Sequence, residues 1–313
     1  MNVSESTKVK TEKDFGALER QFSSGVGKGV HMKKFKPYVD FVLNHLVKRG
    51  EIINGEALLP MDGRPVVAFT SHGPGVAWMP LVALVGKFFI DNGYGDVVGG
   101  MYPHKAVFLV PGLKGYYKRV LGTPTEVSTV DDLVHLFKNN EISFTGTAPE
   151  GAHCLLSFDE YVAPFRSKGM IVAAIKADTS ICLMAHQGAE TWNIRLNLPF
   201  GWTLPFSKGI KGVNIPLFPY KKLPDYMVLC RRYKPAITSE DLAKMSKREA
   251  RLQINVEAER IRAELNMMTD EVKALMRAQS NKDKPKTPVR MDSWQQRRIQ
   301  IRNGLFPLDE AYG

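Results

Sequence analysis

Short β-branched runs that break off into glycine- and proline-rich chain, alternating with longer stretches of helical periodicity, constrain this sequence more than any other feature. Val66–Thr70 runs into Ser71-His72-Gly73-Pro74-Gly75, and a second run at 142–146 continues through Thr147-Ala148 into Pro149-Glu150-Gly151. Such runs, bounded by turn residues, read as strands. Further strands are expected at 97–99, 181–185, 194–198 and 226–231, with helices at 79–91, 113–121, 130–138 and 169–177. The alternation implies an α/β fold in which helices flank a mixed, mostly parallel central sheet. Ligands in such sheets sit where strands end, and His72 and Glu150 both fall at strand ends.

Around this body the chain divides by composition. Residues 1–30 are polar and glycine-bearing and read as a flexible arm. Phe35, Val39, Val42 and Leu46 then fall at helical spacing, with Lys33, Lys34, Lys36, Lys48 and Arg49 at the ends of the helix. The α/β domain is expected over 31–237. Within it, 201–224 mixes Phe206, Leu217, Phe218 and Tyr220 with Lys208, Lys211, Lys221 and Lys222 and reads as a long loop. A helical extension follows over 238–280, in which Ile254, Ile261, Met268 and Leu275 recur every seven residues with Ala258, Leu265 and Val272 between them. That seam suits either a helix lying along its own domain or a homodimer joined through 254–275. Residues 281–313 read as a basic linker and tail, disordered over the Lys/Pro-rich 281–290.

Charge narrows the function classes. A formal net charge of +11 over 313 residues attracts polyanions. Nucleic acid is disfavoured, because the sequence carries no zinc spacing, aromatic RNP-like strand or helix-turn-helix signature. An anionic membrane surface is the better match for basic residues interleaved with apolar ones. The start of the chain lacks a signal-peptide core, and no stretch approaches the ~18 apolar residues that a membrane span needs. Cys154, Cys182 and Cys230 are odd in number and far apart, so a reducing compartment is expected. The expected location is therefore cytoplasmic and peripheral to a membrane.

The order of motifs resembles the glycerophospholipid (PlsC-like, or lysophospholipid) acyltransferase superfamily. The resemblance covers roughly residues 60–235. It includes the strand-histidine start at His72, then Val107-Phe108-Leu109-Val110-Pro111-Gly112-Leu113 and Arg119-Val120-Leu121-Gly122-Thr123-Pro124, then Pro149-Glu150-Gly151. Phe165-Arg166-Ser167-Lys168-Gly169 and Gly188-Ala189-Glu190-Thr191-Trp192 continue the series. The family's aspartate, four residues beyond the histidine plus one, is replaced here by Ala77. The resemblance implies a glycerol-phosphate acyltransferase-like fold and transfer of a fatty acyl group from acyl-CoA or acyl carrier protein to a hydroxyl of a lipid-like acceptor. It also implies substrate binding by Gly73, Gly75, Arg119, Pro149 and Gly151. The alternative is a lipid-binding homologue that kept the fold without the activity.

The residue types suit that chemistry. A thioester is already activated, whereas an alcohol attacks well only as its proton is removed, and a neutral imidazole does this near pH 7. His72 is the expected general base. Its ring needs an orienting acceptor, for which Glu150 or a carbonyl near Gly73 to Gly75 is expected in place of the absent aspartate. Backbone amides around Gly73–Gly75 or Gly151–Ala152 are the expected oxyanion donors. His104, His153 and His186 are reserve candidates for the base. No resident cofactor and no metal are expected.

Overall fold

Strand β3 (Val66–Thr70) is buried at every position, as a strand covered on both faces must be. The computed structural model describes residues 29–60, 62–73, 76–101, 129–151, 162–197, 212–217 and 221–282. Among these, chain order runs β1 (Val30–His31), α1 (Lys36–His45), β2 (Val47–Ile53), β3, α2 (Trp78–Asp91), β4 (Val98–Met101), α3 (Val130–Lys138) and β5 (Phe144–Thr147). It continues through α4 (Gly169–Lys176), β6 (Ser180–Gln187), β7 (Asn193–Asn197), β8 (Gly212–Pro216), β9 (Leu223–Tyr233), α5 (Ser239–Lys244) and α6 (Lys247–Lys282). The fold is α/β: a seven-stranded sheet in the order β1-β4-β5-β3-β6-β9-β2, with helices packed on it. Pairing is parallel from β4 through β5 and β3 to β6, and between β9 and β2. It is antiparallel for β1 with β4 and for β6 with β9.

Alternation along the strands sorts the helices onto two faces. Val66, Ala68, Cys182, Met184, Val228 and Cys230 join Val42 of α1 and Leu81 and Leu84 of α2 in one apolar cluster. Their neighbours Val67, Phe69, Ile181, Leu183 and Leu229 point the other way and are equally buried. On that second face Arg231 pairs with Glu264 and with Glu271 at 2.7 Å, and the Tyr233 hydroxyl donates to Glu257 at 2.6 Å. Residues 247–274 of helix α6 therefore lie along the face opposite α1 and α2. Local signals fix several helix starts. Thr129 and Thr238 each form a reciprocal capping box with an aspartate, and a proline occupies the first turn of α1.

The structure decides one open point of the sequence reading and departs from it in two places. The seam of α6 (Ile254, Ala258, Ile261, Leu265, Met268 and Val272) is buried against the chain's own domain. This is the placement of a helix along its own domain, one of the two that the seam suits, and the extension packs in the same unit as the sheet, which ends at Ala274. Residues 47–53, expected only as the basic end of a helix, form β2, whose partner β9 lies far along the chain. The strand expected at 194–198 leaves the main sheet and pairs with β8, inside what reads as a loop, in a separate two-stranded ribbon. The helix expected at 113–121 lies outside the described residues.

Truncating Leu265 tests the placement of α6. Leu265 is fully buried, so Leu265→Ala should cost about 2–5 kcal/mol of unfolding free energy. Urea unfolding followed by circular dichroism measures it. Light scattering should show an unchanged oligomeric state, because the seam faces its own domain.

Candidate functional site

Register brings the two sequence motifs to one place. In the parallel pair β3–β5, Phe69 lies opposite Thr147, so Ser71-His72-Gly73 and Ala148-Pro149-Glu150-Gly151 leave the sheet at the same edge. On the other side of β3, Thr70 lies opposite Met184, which brings His186 of β6 level with the start of the His72 loop. His72 thus stands on the central strand, with Glu150 from one neighbour and His186 from the other.

The Glu150 turn is built by its sequence. The Gly151 amide donates to the Ala148 carbonyl at 3.1 Å, closing a four-residue turn with proline at its second position and glycine at its fourth. Gly151 has φ +65° and Gly73 also has φ +65°, a region that disfavours side chains. The Pro149 carbonyl accepts from the amides of Arg166 and Ser167 at 3.0 and 3.1 Å, which ties the turn to the chain leading into α4. The Glu150 side chain is fully buried, and its Oε1 accepts from the His72 main-chain N–H at 2.7 Å. The carboxylate expected to orient the imidazole instead holds the backbone that carries it. The Gly151 amide, expected as an oxyanion donor, is committed to the turn.

The His72 ring is part-buried and meets Trp78 edge-on, with centroids 6.4 Å apart. Its Nδ1 is enclosed and has no hydrogen-bond partner among the described residues. Burial holds the ring below the ordinary histidine value of 6.5, opposed by the nearby carbonyls of His72 and Gly73. Burial thus favours the neutral ring, the form that accepts a proton.

A second clamp acts from β6 and β9. His186 is fully buried, with Nε2 3.0 Å from the Ser71 carbonyl and Nδ1 2.8 Å from the Tyr226 hydroxyl. The same hydroxyl lies 2.8 Å from the Ala77 carbonyl. A carbonyl only accepts, so Nε2 carries the His186 proton and Nδ1 is an acceptor. The Tyr226 proton is then shared between Nδ1 and Ala77. Together the two side chains grip Ser71 and Ala77, the residues on either side of the His72 loop. Burial pushes the His186 ring down to about 4, and nearby His72 pushes in the same direction. Burial likewise raises the Tyr226 hydroxyl well above its ordinary value. Ala77 itself is fully exposed to the apolar cluster and not to water, so an aspartate at this position would enter the core.

Of the residues singled out in the sequence, His72, Gly73, Pro149, Glu150 and Gly151 converge at this edge, and His186 stands behind them. Gly75, His104, Arg119, His153 and Cys154 lie outside the described residues. Ser71 and Tyr226 escaped the sequence reading. Tyr226 reaches the site only through antiparallel pairing of β6 with β9, which no local pattern announces. Among the described residues, no group of three or more His, Cys, Asp or Glu could hold a metal ion, and no helix is long and apolar enough to cross a membrane.

Two measurements probe the clamps. Gln at 150 keeps an oxygen for the His72 amide, whereas Ala leaves a buried N–H unsatisfied, so Glu150→Ala should cost about 1–3 kcal/mol and Glu150→Gln less. Thermal unfolding of both variants separates them. The two histidines give a pH signature. Their pKa values are lower folded than unfolded, so the unfolded chain binds more protons in the window between. The stability that the neutral rings contribute is complete above about pH 6.5 and is lost as pH falls toward 4. Urea midpoints across that window should fall with acid, and His186→Gln should flatten the slope.

The sequence matches no model of a known protein family, and neither the curated proteins nor the solved structures compared with it contain a match.

Proposed function

We propose that this chain is an O-acyltransferase that moves a fatty acyl group from acyl-CoA or acyl carrier protein to a hydroxyl of a lipid-like acceptor, at an anionic membrane surface, with His72 as general base. The observation that carries the reading is the state of His72. It is an imidazole that burial biases toward the neutral form, on a loop held at both ends at the carboxyl edge of a parallel sheet. The ordered likeness of the sequence to the PlsC-like acyltransferases supports the same chemistry.

In the proposed step, the acceptor hydroxyl oxygen forms its bond to the thioester carbonyl carbon while its proton passes to the imidazole. Collapse of the tetrahedral intermediate breaks the carbon–sulfur bond, and the imidazolium returns the proton to the departing thiolate. Ester and thiol are the products, and the base is regenerated. Glu150 acts as a positioning residue: its bond to the His72 amide fixes where the ring enters the site. Gly73, with its left-handed backbone, lets the chain pass close to substrate, and Gly75 and Arg119 complete the proposed binding set.

A second reading, a lipid-binding homologue without activity, draws on two features. Glu150 holds the main chain, and Ala77 stands in the core where the resembled family has its aspartate. One comparison separates the two. His72→Ala should lower acyl transfer by ~10²–10⁴-fold with unfolding unchanged, and the wild-type rate should decline only below about pH 6.5, on an acid limb that His72→Ala removes. Turnover of a radiolabelled thioester with a lysophospholipid or neutral glyceride acceptor measures both. Near wild-type turnover in His72→Ala would remove the proposed base. A wild-type chain that binds these lipids and turns none over is the inactive homologue.

A further inference from the structure

The edge of the sheet that carries His72 also carries an unusual apolar surface. Strand β6 ends at that edge, and the chain turns through Gly188 and a short helical turn at Glu190–Trp192 into β7, which pairs antiparallel with β8. Ile194 lies opposite Ile215, and by strand alternation Leu196 and Leu217 lie on the same face. Their exposures are 48%, 43%, 53% and 38%, respectively. A two-stranded ribbon is marginal in water by itself, and apolar side chains held in water add nothing to it. Its base is nevertheless firmly seated. Trp192 is fully buried, its indole N–H donates to the Lys221 carbonyl, and its own carbonyl accepts from the Leu217 amide at 2.7 Å.

Cations and one more large apolar side chain stand beside the ribbon. Lys221 and Lys222 are exposed at the start of β9, and the Lys222 ammonium donates to the Asn44 carbonyl at the end of α1. One turn back on α1, Phe41 is 55% exposed. Because β9 runs antiparallel to β6 and parallel to β2, the starts of β9 and β2 and the end of α1 share the edge at which β3, β5 and β6 finish. The candidate site, the ribbon, the lysines and Phe41 thus lie at one edge of the molecule.

We propose that this edge is the membrane-docking surface. The ribbon residues Ile194, Leu196, Ile215 and Leu217 enter the boundary between headgroups and acyl chains together with Phe41, and Lys221 and Lys222 meet the phosphates of an anionic bilayer. Charge decides between a bilayer and a second copy of the chain. A two-fold contact through the same surface would set the lysines of one copy against those of the other, on a chain already at +11, whereas an anionic bilayer neutralises them. The inference deepens the lipid-acceptor reading and rests on it for one point only: a docked edge presents His72 to an acceptor that never leaves the membrane.

The test is sedimentation of the full chain with vesicles of phosphatidylcholine, with and without phosphatidylserine. Wild type binds the anionic vesicles and is released by salt, since screening shortens to about 8 Å near physiological ionic strength. The pair Ile194→Ser with Leu196→Ser should weaken binding by about tenfold or more. Lys221→Gln with Lys222→Gln should weaken binding to anionic vesicles alone, which keeps the test decisive if the serine pair does not fold. Wild-type binding by both pairs overturns the proposal. So does a wild-type dimer, seen by light scattering, that the serine pair dissociates. Turnover with a short-chain, water-soluble acceptor should be untouched in both pairs, and His72→Ala should still bind vesicles. Docking without turnover in wild type removes the acyl-transfer reading alone, and turnover with unchanged docking in the variants removes the docking surface alone.

Discussion

Parallel hydrogen bonding of β5, β3 and β6 is the constraint on which the rest depends. A one-residue slip of β5 against β3 would turn every side chain to the opposite face and carry Glu150 away from the His72 amide. A slip of β6 would likewise remove His186 from the Ser71 carbonyl. The candidate site is thus a readout of register, and register is enforced by the apolar residues that β3 and β6 bury on both faces, with Phe144 of β5 beside them. Packing far from any chemistry sets the position of the imidazole.

Polar groups buried at the same edge act against stability unless each is satisfied. Glu150 and His186 are fully enclosed, and each bonds main chain: the His72 amide in one case, the Ser71 carbonyl in the other, with the second His186 nitrogen on the Tyr226 hydroxyl. Tyr226 extends the second clamp to Ala77. Ser71, His72 and Ala77 are thereby held from more than one strand at once. Such a concentration of enclosed polar groups, with burial shifting His72, His186 and Tyr226, is more common at working sites than in ordinary cores.

Much of this was legible in the sequence wherever the signal is local. Val66–Thr70, Val130–Lys138 and the start of α2 follow from composition and periodicity within a single segment, and the glycine and proline of the Glu150 turn dictate its shape. What escaped depends on partners distant in sequence. Strand β2 reads Val-Lys-Arg-Gly-Glu-Ile-Ile, too charged to announce a strand until β9 supplies its hydrogen bonds. The ribbon of β7 and β8 is separated by intervening chain that looks like loop, and Tyr226 meets His186 only across the β6–β9 pair. The carboxylate of Glu150 was correctly brought beside His72, but its partner there is the peptide and not the ring, a distinction that side-chain chemistry alone does not make.

Strand β2 has one more consequence, for the time course of synthesis. Its Arg49 meets Asp225, 176 residues further on. At about 5–20 residues per second, the ribosome would take roughly 9–35 s to deliver that partner. During the interval β2 has no partner at all, and in the finished sheet it is still an edge strand, the kind of segment that recruits foreign strands. Lys48, Arg49 and Glu51, exposed along it even in the finished protein, make such recruitment costly. The charges that disguise this strand from a reader of the sequence also disguise it, while the chain is still being made, from its neighbours in the cell.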